Sequence, residues 1–204
     1  MKNSSIRRVR GFTLVELLVV IAIIVILAAA GFAAGMGALN KAKKLKSQTT
    51  ATALEQAIAQ FYNEYGRLPD IDGSSTDKEY EVKGSDGQKL LEVLLGKDTT
   101  AGKEQNPKQI VFLSAKEGTA KGSSDGIDGL VYSGSGSSAT PRGLFDAFGN
   151  AFKLELDNDY DEAIQVKLGG TTKDLRGKRV AVYSYGADKK STDAKTGKDD
   201  VKTW

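Results

Sequence analysis

Residues 10–39 read RGFTLVELLVVIAIIVILAAAGFAAGMGAL, and the reading of this stretch decides the fold. From Phe12 to Leu39 only Thr13 and Glu16 are polar. A helix rises about 1.5 Å per residue, so about 20 apolar residues cross the hydrocarbon core of a bilayer. Leu17 to Ala34 nearly supplies that length, and Phe12 completes it. Lys2, Arg7, Arg8 and Arg10 precede the run without any acid, which holds that end on the cytoplasmic side. A cleaved secretory signal shares the basic start, but its apolar centre is normally about 7–15 residues, and here the helical pattern continues past Ala34.

Downstream the pattern turns amphipathic. Leu54, Ala57, Ile58, Phe61 and Tyr65 recur at spacings of three and four, one buried face of a helix. Gly66 offers a left-handed stop and Pro69 prevents resumption. One continuous helix from about Phe12 to Tyr65 is expected, its first half lipid-soluble and its second packed on a head. Lys41, Lys43, Lys44 and Lys46 fall where it would leave the membrane, within reach of lipid phosphates. Glu16 reads two ways from position alone. It sits at headgroup level at little cost, or it awaits a cationic partner from another chain, because a carboxylate at membrane depth is costly.

The 204 residues amount to one domain plus an appendage. The net charge of +3 resides in the basic start and the Lys41–Lys46 cluster, and the body beyond is acidic. Such a body cannot neutralise phosphates, so no nucleic-acid partner is expected. Cysteine and histidine are absent, which excludes disulfides, thiol nucleophiles, Ser-His-Asp hydrolysis and the usual Cys/His zinc sites.

Leu68 to Pro141 reads mostly as loop. Within it Gln88 to Leu95 forms a short helix with Ser85 or Asp86 near its N-cap and Gly96 behind it. Ile110 to Leu113 reads as a short strand, and the Gly/Ser-rich Gly118 to Thr140 as a flexible surface loop. Alternation at Phe152, Leu154 and Leu156, at Ile164, Val166 and Leu168, and at Val180 and Val182 predicts an antiparallel meander with one buried face. With the long helix this makes an α+β head.

Arg10-Gly11-Phe12-Thr13-Leu14-Val15-Glu16-Leu17 resembles the prepilin processing motif shared by type IV pilins and type II secretion pseudopilins. The resemblance implies cleavage between Gly11 and Phe12 by a membrane-embedded prepilin peptidase, N-methylation of Phe12, and pairing of Glu16 with a neighbouring N-terminus during assembly. Many members carry a proline where this run has Gly31, Phe32 and Ala33; Gly31, Gly35 and Gly37 supply flexibility instead, each weakening the helix by up to about 1 kcal/mol. Asp146-Ala147-Phe148-Gly149-Asn150-Ala151-Phe152, Tyr183-Ser184-Tyr185-Gly186-Ala187-Asp188, Asp199-Asp200-Val201 with Trp204, and Tyr65-Gly66-Arg67-Leu68-Pro69 resemble one branch, the G-type major pseudopilins.

That branch implies a type IV pilin-like fold in five parts: a cleaved cytoplasmic leader (1–11), a transmembrane and filament-core helix (12–39), its amphipathic continuation (40–66), a variable region (67–145), and a sheet with a C-terminal Asp-rich loop (146–204). Taken alone, that loop reads first as a solvated turn balanced by Lys189, Lys190, Lys195 and Lys198, ahead of a cation site. The resemblance implies one calcium ion, held by the side chains of Asp188, Asp199 and Asp200 and the carbonyls of Tyr185 and Gly197. Lys189 stands where the branch customarily has glycine.

The implied role is that of a homopolymerising structural subunit, not an enzyme. It would be anchored once in the inner membrane with its head in the periplasm. Its partners would be inner-membrane lipid, the peptidase, minor pseudopilins and an inner-membrane assembly platform. The alternatives are a type IV pilin, whose head commonly ends in a disulfide loop, and a membrane-anchored enzyme, for which no motif organises a carboxylate pair.

Overall fold

The computed structural model describes residues 12–98, 104–136 and 139–204, with residues 30, 31, 33 and 34 described in backbone only. The expected leader, residues 1–11, lies outside the described residues. The chain forms two units, Met1–Lys41 and Ala42–Trp204. Helix α1, Leu14–Tyr65, contributes to both.

In the first unit α1 carries its apolar residues into solvent. Phe12 is 79% exposed, Leu14 83% and Ile26 68%, and the large apolar side chains described between Phe12 and Leu39 are all exposed. Among the described residues no helix is long and apolar enough to cross a membrane.

In the second unit Leu54, Ala57, Ile58 and Phe61 of the expected α1 face are buried and Tyr65 is half-buried, while Ser47 and Ala51 extend that face one to two turns earlier. Each large side chain hidden here contributes about 1.5–3 kcal/mol. The helix stops where Gly66 adopts φ +68 and its N–H bonds the Tyr62 carbonyl at 2.7 Å.

That face packs on a four-stranded antiparallel sheet and on helix α2. The strands are β1 (Lys78–Glu81), β6 (Lys153–Leu156), β9 (Val180–Ser184) and β10 (Val201–Lys202), in the order β1-β6-β9-β10. Tyr80, Leu154, Leu156, Val180, Val182 and Val201 share one core with the α1 side chains and with Leu90, Leu91, Val93 and Leu94 of α2 (Gly84–Leu94). Two hairpins complete the main body, β4 (Gly129–Ser133) with β5 (Thr140–Phe145), and β7 (Ala163–Leu168) with β8 (Thr171–Arg176). A further small pair joins β2 (Thr119–Lys121) to β3 (Asp125–Ile127).

Four expectations need correction. The meander is instead a sheet in which β1, β6 and β9 neighbour one another out of chain order, and its β9 is buried on both faces. β9 is buried along its whole length, because Ala181 and Tyr183 form a second cluster with Ile164, Val166 and Leu175 of the β7–β8 hairpin. Ile110–Leu113 is not a strand; the N–H groups of Phe112 and Leu113 both turn to the Leu94 carbonyl, at 2.9 and 3.1 Å, at the end of α2. Helix α2 starts at Gly84, and neither Ser85 nor Asp86 caps it: its N-cap is Lys83, without a side-chain cap bond.

The fourth correction concerns Gly118–Thr140, which is built of β2, β3 and β4 rather than being a flexible loop. Gly118, Gly126 and Gly129 are packing residues, whereas Gly122 and Gly136 face open space. A Cβ on Gly126 would sit 2.5 Å from Val131 Cγ2 and 2.7 Å from Phe145 Cδ2. One on Gly129, at φ +134, would sit 2.2 Å from the Lys116 carbonyl oxygen.

Candidate functional site

Of the expected cleavage pair, Gly11 lies outside the described residues and Phe12 stands exposed. Immediately behind it Thr13 and Glu16 form a capping box. Glu16 Oε2 accepts from the Thr13 backbone N–H at 2.8 Å and from its hydroxyl at 2.7 Å, while Thr13 Oγ1 accepts from the Glu16 N–H at 3.2 Å. Two N–H groups that a helix start leaves unpaired are thus satisfied. The spacing Thr-x-x-Glu before an apolar run is itself the signature of this device, and the reading of Glu16 by depth alone missed it.

Three of the four lysines in the basic cluster reach the head. Lys46 pairs with Asp128 at 2.6 Å, which also receives Lys116 at 3.1 Å. Lys44 donates to the Lys198 carbonyl at 2.9 Å, and Lys43 lies over the Phe148 ring at 5.8 Å. These three lysines are engaged with the head itself.

The Asp146–Asn150 turn is the structural hub of the C-terminal region. Its Asp146, 1% exposed, accepts from the N–H groups of Phe148 and Asn150, from Asn150 Nδ2, all at 2.8 Å, and from Ser184 Oγ at 2.9 Å. Asn150 Nδ2 also donates to the Gly186 carbonyl at 2.7 Å. On the other side the Ala147 N–H donates to Ser47 Oγ of α1 at 3.0 Å. One turn therefore ties helix α1, strand β9 and the Asp-rich loop together.

Within that loop the close approaches are real. Gly186 adopts φ +68, and a Cβ there would meet the Asp199 carbonyl oxygen at 2.4 Å and its Oδ2 at 2.9 Å. The Asp188 N–H donates to Asp199 Oδ2 at 2.9 Å. Lys189 takes φ +58, so the left-handed conformation expected of a glycine persists at this lysine. Because Val201 pairs with Ser184, Tyr185 and Asp200 fall opposite one another just beyond that pair. Gly197 lies in the 3-10 turn Thr196–Lys198, and its α-carbon side faces Asp200 Oδ2, 3.2 Å from where a Cβ would lie. Asp193 bends back to its own turn, accepting from the N–H groups of Lys195 and Thr196 at 2.8 and 2.9 Å.

Asp200 is 3% exposed, and its Oδ1 is buried without a hydrogen-bond partner. Its other oxygen accepts from Ser191 Oγ at 2.6 Å. Burial pushes this carboxyl above the usual carboxylate range, and the charges of Asp199 and Asp188 push in the same direction. Among the described residues, however, Asp188, Asp199 and Asp200 do not bring one oxygen each to within 4.8 Å of the others.

Residues 6–32 match the prokaryotic N-terminal methylation motif. No curated protein and no solved structure matches the chain. The motif marks the precursor of a pilin-like subunit, of the class that a prepilin peptidase processes and that polymerises into filaments. Such subunits are typically not enzymes, and the motif indicates membrane anchoring through the N-terminal helix. The α+β architecture, with one long N-terminal helix and small antiparallel sheets, is compatible with a pilin-like fold.

Proposed function

We propose that this chain is the major pseudopilin of a type II secretion system, polymerising into the periplasmic pseudopilus that drives protein export. The observation that carries the reading is the exposure of the large apolar side chains described between Leu14 and Leu39 of α1, a stretch that begins inside the methylation motif at residues 6–32. An exposed apolar surface of this size demands a partner: lipid before assembly, in a single pass through the inner membrane with the head in the periplasm, and the same segment of other subunits afterwards. Repeated head-to-tail contacts that do not close produce an open helical polymer. Prepilin peptidase, minor pseudopilins and an inner-membrane platform complete the machine. The Asp-rich C-terminal loop and the lack of cysteine favour this reading over a type IV pilin of a surface filament.

Filaments visible by electron microscopy, and loss of secretion in a deletion strain, are the expected results. A strain that loses surface adhesion or DNA uptake while secreting normally would favour the type IV pilin. Intact-mass analysis of filament subunits should find a chain beginning at N-methylated Phe12. Recovery of full-length chains starting at Met1 from mature filaments would contradict the processing step.

The C-terminal loop is read as the holder of one calcium ion, through Asp188, Asp199, Asp200 and the carbonyls of Tyr185 and Gly197. The buried, unpartnered Asp200 Oδ1 and an all-oxygen donor set suit a hard cation. Calcium would offset the repulsion among the aspartates and join the loop's start to its end. A ligand bound only to the folded form stabilises it by about 2.7 kcal/mol at one hundred times Kd. Chelation of the full chain in detergent should therefore lower its melting temperature, and Asp199→Ala should mimic chelation in calcium-replete buffer. Asp199→Ala melting indistinguishably from wild type in calcium would remove Asp199 from the site.

A further inference from the structure

A second acidic cluster lies at the opposite end of β9 from the Asp-rich loop. Strands β1 and β6 pair Lys78 with Leu156, so Asp77, just before β1, and Asp157, just after β6, fall opposite one another. The chain then runs Asp157-Asn158-Asp159-Tyr160-Asp161, with acids at alternate positions. One carboxylate oxygen from each of Asp77, Asp157, Asp159 and Asp161 lies within 4.8 Å of all the others.

Proximity of acids alone would mean little, but Asp157 adds an independent observation. It is fully buried, at 0% exposure, and its Oδ1 has no hydrogen-bond partner. Its Oδ2 accepts a long bond, 3.2 Å, from the Glu162 N–H. None of the ion pairs among the described residues involves any of the four aspartates. A buried carboxylate without a pairing group is costly unless a cation completes it. Burial raises the Asp157 and Asp77 carboxyls above their ordinary range, and the charge of Asp159 adds to this at both. Asp159 and Asp161 are exposed, so the cluster opens to solvent on one side, into a groove that Asp77 and Asp161 help to line.

We propose that Asp77, Asp157, Asp159 and Asp161 bind a calcium ion that clamps the segment before β1 to the turn after β6. Calcium takes six to eight hard oxygens at about 2.3–2.6 Å, so oxygens on opposite sides of its shell stand roughly 5 Å apart, and the four carboxylates fit inside one shell. Water entering from the exposed side supplies further ligands. The alternating aspartates leave an irregular shell, which calcium tolerates and magnesium, with its near-ideal octahedron, does not. This site is independent of the filament reading and of the C-terminal loop.

The test is equilibrium dialysis of the full chain in detergent against calcium, with melting followed in parallel. Asp159→Asn/Asp161→Asn changes only exposed groups, and asparagine keeps the turn-capping oxygens that accept from Asp161 and Ala163 N–H. This variant should lose one bound calcium per chain relative to wild type, together with part of the calcium-dependent rise in melting temperature. Asp188→Ala/Asp199→Ala should retain that ion. Asp157→Asn should melt no lower than wild type in chelator, because it removes a buried charge, and should gain less from calcium. A chain with Asp159→Asn/Asp161→Asn that binds as much calcium as wild type overturns this site. So does a C-terminal variant that has lost all bound calcium, which would leave the ion to Asp188 and Asp199 alone. Loss of one ion in the first variant and none in the second supports this site and counts against the C-terminal one.

Discussion

Asp146→Ala lowers the stability of the head by about 3–5 kcal/mol, the scale of breaking a buried polar network by removing one partner. The carboxyl group receives two backbone N–H groups, one amide Nδ2 and one hydroxyl, all at a site 1% exposed. Alanine leaves several of these donors buried without acceptors, and each unsatisfied group costs about 1–3 kcal/mol. The contributions do not add fully, because Asn150 can relax toward the Gly186 carbonyl it already contacts. Asp146→Asn, which keeps one carbonyl oxygen, should cost about half as much. Urea unfolding followed by the fluorescence of Trp204, the only tryptophan, measures both, since that ring packs edge-on against Tyr183 at 6.0 Å. A loss below about 0.5 kcal/mol, the range of ordinary surface changes, would show that the turn is not the staple its hydrogen bonds describe.

Glu16→Gln should abolish or severely slow filament assembly while leaving the melting of the head unchanged. The choice of glutamine matters. Alanine would remove both the charge and the cap, whereas glutamine at this position of a capping box still accepts from the Thr13 N–H. The proposed partner of the charge is the Phe12 amine of an adjacent subunit, and an unpaired charge in an apolar core is unfavourable. Thr13→Val supplies the converse: it weakens the cap, worth about 1 kcal/mol, and retains the charge. If Glu16→Gln assembles at the wild-type rate and Thr13→Val does not, Glu16 acts as a cap and the intersubunit pair is refuted.

Long periodic elements were legible from residue spacing because one physical demand, burial of a face, wrote them. Leu54, Ala57, Ile58 and Phe61 sit where the period of α1 puts them, and β6 and β7 follow their alternation. Strand β8 was not legible: of Thr171–Arg176 only Leu175 is buried, so a single apolar residue carries that strand's packing. The strands of residues 119–133 were hidden for the opposite reason. Glycine usually signals freedom, yet Gly118, Gly126 and Gly129 are there because neighbouring atoms occupy the space of a side chain, a fact about tertiary contact. At the sites, the motif around Gly11 and Phe12 was readable because its parts are contiguous. Asp77 and Asp157 are 80 positions apart and meet only through the β1–β6 register, which no local pattern announces.

That register has a consequence for how such a head can diversify. Because Lys78 pairs with Leu156, residues 82–152 are an insertion between two hydrogen-bonded strands, like a greatly enlarged hairpin loop. Closure entropy grows only logarithmically, about 0.6 kcal/mol for each doubling of length, so insertions near Asp98 or Gly136 are thermodynamically cheap. What must be preserved is the apolar side that this segment presents inward, Leu90, Leu91, Leu94, Leu113, Leu130 and Leu144. The outer surface of a polymer built from such subunits can therefore be rewritten by lineage, graft by graft, above an unaltered frame.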